Sequence, residues 1–98
     1  MFEVRQTAAF AKWLEAIADR VAVERIAQRI ARLQSGLLGD VVAVGKGVGE
    51  LRIHHGAGYR LYFVKRGSLI VILLCGGVKS TQDKDMRRAK ELAEDLET

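Results

Sequence analysis

The sequence predicts an α+β domain, and three observations carry that prediction. Two segments with apolar residues at helical spacing come first, runs of strand character follow, and an amphipathic segment closes the chain. Helices segregated from strands in this way separate α+β architectures from alternating α/β ones. The chain has 98 residues, 49% of them hydrophobic, enough for one modest core. Residues 1–98 therefore read as a single domain, without proline, internal repeat, low-complexity tract or linker.

The first helix follows from Phe10, Trp13, Leu14 and Ile17, with Thr7 just ahead as its N-cap. A second carries Val23, Ile26, Ala27, Ile30 and Leu33 on one stripe, opposite Glu24, Arg25, Gln28, Arg29 and Arg32. It stops near Ser35-Gly36. Together they predict a short antiparallel helical hairpin. Strand runs follow at about Val41 to Val44, Val48 to His54 and Tyr59 to Lys65, the last two joined by the turn-forming His55-Gly56-Ala57-Gly58. The run Leu69 to Cys75 is apolar throughout, which predicts a central strand covered on both faces. Ser80 and Asp83 stand at capping-box spacing before a final helix with Met86, Ala89, Leu92, Ala93 and Leu96 as its buried stripe.

Charge is unevenly placed. The formal net charge is +4, but between Lys46 and Ser80 the cations Lys46, Arg52, Arg60, Lys65, Arg66 and Lys79 face the single acid Glu50. That is the electrostatic footprint of a surface that holds a phosphate backbone. Strand alternation sorts the same stretch into faces, with Leu51, Ile53, Leu61 and Phe63 turned to the core. Glu50, Arg52, His54, Arg60 and Tyr62 share the opposite face if the two strands pair as a hairpin, and Lys79 arrives beside them from the end of the next strand. Cys75 reads as a buried small hydrophobe. The N-terminal residues lack a signal-peptide apolar core, and no apolar run approaches the roughly 20 residues of a membrane helix, so a cytoplasmic protein without membrane contact is expected.

The patterns Gly45-x-Gly47-x-x-Glu50-Leu51-Arg52-Ile53, Gly56-x-Gly58-Tyr59-Arg60-x-Tyr62-Phe63 and Leu73-Leu74-x-Gly76-Gly77-x-Lys79-Ser80-x-Gln82-x-x-Asp85 resemble the RelE/ParE superfamily of bacterial toxins, in its HigB-like branch. The likeness runs over essentially the whole chain. It implies a RelE-like fold: an N-terminal strand and helical hairpin packed on a mainly antiparallel sheet, with a C-terminal helix. It also implies a toxin of a type II toxin-antitoxin module, neutralised by a cognate antitoxin, a helix-turn-helix protein from the adjacent gene through which operator DNA is reached indirectly. For the nuclease members it implies cleavage of mRNA on the ribosome.

By the same resemblance Arg60 stands against the scissile phosphate, with Arg52, His54 and Lys79 as the further catalytic residues; Lys46, Glu50, Tyr62 and Gln82 are expected to bind the substrate beside them. The residue inventory suits such chemistry. RNA cleavage needs a base, a proton donor and cations for the charge that develops on phosphorus. His54 is the polar-face residue whose ordinary pKa, about 6.5, suits proton transfer, and Tyr62 is placed to orient or stack a base. No carboxylate pair and no Cys/His cluster stands at ligand spacing, so neither a metal nor a cofactor is expected. Two bland readings stay open: Glu50 and Arg52 as a surface ion pair, and His54 and His55 as solvated turn residues. A second function also stays open, a non-enzymatic ParE-like toxin that binds and poisons DNA gyrase, since no tyrosine begins the last helix, where RelE nucleases carry one.

Overall fold

The computed structural model describes residues 1–96. The elements run β1 (Glu3–Gln6), α1 (Ala8–Ala16), α2 (Arg20–Gln34), β2 (Val41–Gly45), β3 (Val48–Ile53), β4 (Tyr59–Arg66), β5 (Ile70–Gly77), a 3-10 turn (Lys79–Thr81) and α3 (Gln82–Leu96). The five strands form one sheet ordered β1-β5-β4-β3-β2. β1 runs parallel to β5, and every other neighbouring pair is antiparallel. The fold is therefore the expected α+β one, with β4 rather than β5 in the middle.

Helices cover both faces. On one, Phe10, Ile26 and Leu33 of the hairpin pack on Leu51, Ile53, Leu61, Phe63, Val71 and Leu73. On the other, Ala89 and Ala93 of α3 meet Val48, Tyr62, Val64, Leu74 and Cys75. Small side chains let α3 lie close to the sheet. β5 carries a bulge: Tyr62 pairs with Cys75 and Phe63 with Leu73, so Leu74 is the extra residue and the alternation shifts by one.

Local chemistry sets the element ends. Thr7 caps α1 as expected, its hydroxyl accepting from the Phe10 N–H at 3.1 Å and donating to the Leu74 carbonyl at 2.6 Å. α2 has an N-cap that the apolar periodicity does not reveal, Asp19, which accepts from the Val21 and Ala22 N–H groups. Its buried stripe is Ala22, Ile26 and Leu33, with Ala27 exposed, one step round from the expected one. The expected Ser80/Asp83 capping box is absent, because the 3-10 turn delays α3. Thr81 takes over, accepting from the Val78 N–H at 3.3 Å and donating to the Asp85 carboxylate. Leu96 is 44% exposed, since the stripe of α3 runs off the sheet before its last turn.

Candidate functional site

The β3–β4 hairpin brings the site together. Its register sets Glu50 opposite Tyr62 and Arg52 opposite Arg60. All four side chains lie on the face that alternation predicts, but α3 lies over that face and changes its character. Glu50 and Tyr62 are fully buried and Arg60 is 8% exposed. The expectation of an open polar sheet face is corrected accordingly.

A buried carboxylate needs partners, because its desolvation is otherwise prohibitive. Glu50 has three. Arg52 Nε donates to Oε1 at 2.7 Å, Gln82 Nε2 donates to Oε2 at 3.2 Å, and Arg60 Nη1 stands 3.7 Å from Oε2. The Glu50–Arg52 pair is thus no surface contact, and Glu50 orients cations rather than presenting itself to a ligand. The contact to Arg60 is an ion pair without a hydrogen bond, so Nη1 is a buried donor left unsatisfied. The Tyr62 hydroxyl is likewise buried and makes no hydrogen bond of good geometry, but it lies near the Glu50 carboxylate; burial first, then Glu50, push its pKa well up. Tyr62 does not reach the surface, which corrects its expected role in stacking a base.

Arg52, His54, Gly58, Tyr59, Arg60, Lys79 and Gln82 line an open cleft of about 420 Å³. Lys79 is held there by its backbone, whose N–H donates to the Ala57 carbonyl at 3.2 Å. Two glycines make the approach possible. Gly58 has φ +77°, and a Cβ on it would sit 3.2 Å from that of Lys79; a Cβ on Gly77 would lie 1.7 Å from the Asp85 carboxylate. His54 lies just past the end of β3, with its Nε2 3.1 Å from Asp40 Oδ2 and its side chain 79% exposed.

The cleft thus holds Arg52, His54, Arg60, Lys79 and Gln82. Lys46 is not among them. It sits in the β2–β3 turn, at the opposite end of β3 from Arg52, with its Nζ 3.0 Å from Glu94 of α3. His55 is no idle turn residue either, since its Nε2 stands 3.0 Å from Asp19 Oδ2. Sequence reading misses the pairing of Asp19 with His55 and of Asp40 with His54, because each joins residues far apart in the chain. Among the described residues, no three His, Cys, Asp or Glu side chains come together as a metal site. No helix among them is long and apolar enough to cross a membrane.

Comparison with known proteins agrees with this architecture. The structure is similar to a chain of the intact E. coli RelBE toxin-antitoxin complex, with a TM-score of 0.65 at 10% identity, over 80% of this chain and 96% of that one. An uncharacterized protein of Haemophilus influenzae is 47% identical over 94 residues, covering 96% of this chain and 95% of its own length. The phage-derived protein Gp49-like family (DUF891) matches residues 12–97. With a family match over nearly all its length and a relative this close, the chain belongs to the Gp49-like family.

Proposed function

We propose that the chain is the toxin of a type II toxin-antitoxin module and acts as a metal-independent, ribosome-dependent mRNA endonuclease. The observation that carries this reading is Arg60. Its side chain lines the cleft with Arg52 and Lys79 and is nine-tenths buried, with Nη1 sealed from solvent 3.7 Å from Glu50 Oε2. A guanidinium anchored on a buried carboxylate in a cationic cleft is pre-oriented to offer its remaining donors to an anionic oxygen. Arg52, Arg60 and Lys79 against Glu50 leave a local charge of about +2 for a phosphate and the charge that grows on it during cleavage.

In this reading His54 moves the proton at the 2′-hydroxyl. Asp40 holds Nε2, so Nδ1 is the ring nitrogen left for the transfer. Glu50, itself held by Gln82, fixes the two arginines. The likeness to the RelBE chain supports a cognate antitoxin as partner, the Gly58-Tyr59-Arg60 motif matches the phosphate-binding arginine of RelE-type nucleases, and the three sequence patterns in combination support a HigB-like toxin. Ribosome and mRNA are the targets, operator DNA is reached through the antitoxin, and the protein works in the cytoplasm.

A second reading, a gyrase-binding toxin without catalysis, is favoured by one feature: His54 is paired to Asp40 at the rim rather than to Arg60 or Glu50. Mapping transcript ends by primer extension after brief induction separates the two. Cuts inside translated codons, lost in Arg60→Ala, are expected. DNA damage without such cuts would overturn the nuclease reading.

A further inference from the structure

Three clefts lie in series along the molecule. The Arg60 cleft is the middle one. It shares Arg52, Ile53 and His54 with a cleft of about 260 Å³ on the α2 side. It shares Lys79 and Gln82 with one of about 410 Å³ at the start of α3. Arg25 and Arg32 line the α2 side, two helical turns apart on one face. Lys84 and Arg87 line the α3 side.

All four cations are exposed, and none is ion-paired to a described residue. Asp83 is the one acid among the described lining residues of the two outer clefts. Arg29 differs from its neighbours on α2. Its guanidinium donates to the carbonyls of Arg52 and Leu38, at 2.9 and 3.1 Å, so it builds the wall and is not available to a ligand.

We infer that the three clefts form one groove for a single extended strand of RNA. Arg25 and Arg32 hold phosphates on one side of Arg60, and Lys84 and Arg87 hold them on the other. The inference rests on the nuclease reading for the identity of the strand, because both use the middle cleft. Charge complementarity selects a polyanion. The depth of Arg60, whose side chain is 10% exposed, selects an unpaired strand, which can bend a phosphate down to the cleft wall where a stiff duplex lies across the rim.

The test is fluorescence anisotropy of the purified full chain with 2′-O-methyl oligonucleotides, which cannot be cleaved through a 2′-hydroxyl. A trinucleotide and a strand of about ten nucleotides are compared over a salt series. The variants are Arg25→Gln/Arg32→Gln and Lys84→Gln/Arg87→Gln, with circular dichroism to verify folding. For the longer strand each pair should flatten the slope of log affinity against log salt by about 1.4, two contacts at roughly 0.7 each. Each should also erase part of the affinity gained over the trinucleotide. An unchanged slope for both pairs overturns the groove, as does a hairpin duplex that binds as tightly as the single strand. Arm-dependent binding without transcript cuts in cells would leave the groove standing and remove the nuclease. Transcript cuts with arms that change nothing would do the reverse.

Discussion

The two faces of the sheet share strands but solve opposite problems. Toward the hairpin, β3 and β4 present Leu51, Ile53, Leu61 and Phe63, and stability there is a matter of filling volume. Toward α3, the same strands present Val48 and Val64 at one end and Glu50, Arg52, Arg60 and Tyr62 at the other. That second face is apolar where Ala89 and Ala93 cover it and ionic where α3 begins. The difference teaches that a helix covering only part of a sheet face can create a low-dielectric border. Charges there are held by one another instead of by water.

Removing the anchor of the ionic end should break the contrast most severely. Glu50→Ala leaves Arg60 buried without its counter-ion, and the expected loss is about 3–5 kcal/mol in chemical denaturation. Leu51→Ala, the adjacent residue on the other face, should lose a comparable but smaller amount, about 3 kcal/mol, through cavity formation alone. Salt tells them apart: the apolar variant should respond to ionic strength as the parent does, and Glu50→Ala should not. Arg60→Ala belongs to function instead. Glu50 keeps Arg52 and Gln82, so the protein should fold, with cleavage falling about 10²- to 10³-fold as for loss of a donor to developing negative charge. A folded Arg60→Ala protein of full toxicity would remove this residue from the site.

Tyr62→Phe sharpens the comparison from the other direction. Its hydroxyl is buried without a hydrogen bond, so its removal should be neutral or stabilising by up to about 1 kcal/mol, with toxicity retained. A large loss of cleavage would mean that α3 lifts during turnover and exposes the phenol. The smallest effect belongs to His55→Gln at the hairpin tip. The Asp19 carboxyl lies below its ordinary 3.8, held first by the Ala22 N–H and then by His55. A carboxyl so lowered stabilises the fold above pH 3.8 and stops doing so as pH falls through its folded value. The variant should therefore melt below the parent at neutral pH, and the two melting curves should converge in acid.

Much of this was legible in the sequence. Periodicity in Phe10 to Leu33 and in Val48 to Phe63 identifies the helices and the facing of the hairpin, because apolar spacing records which side is buried. What alternation does not record is whether the opposite side is covered. Glu50 and Tyr62 looked like surface residues for that reason, and only the position of α3, set by tertiary packing, makes them interior. The strand Glu3–Gln6 has no periodicity to read and entered only through the family resemblance. Lys46 shows the limit of charge counting: its place in the basic stretch suggested the site, yet the turn points it at Glu94.

The extra residue at Leu74 has a consequence for how the cleft is tuned. β5 lends no side chain to the cleft, yet counting along β5 decides which way Gly76 and Gly77 face, one against Trp13 and the other against Asp85. Just past Gly77 the chain enters the 3-10 turn that carries Lys79 and leads into Gln82 of α3, so one wall of the cleft follows directly from the end of β5. The bulge acts as a phase adjuster. Deleting Leu74 would turn the residues after it to opposite faces and shift one wall of the cleft against the other, while every cleft-lining residue stays the same.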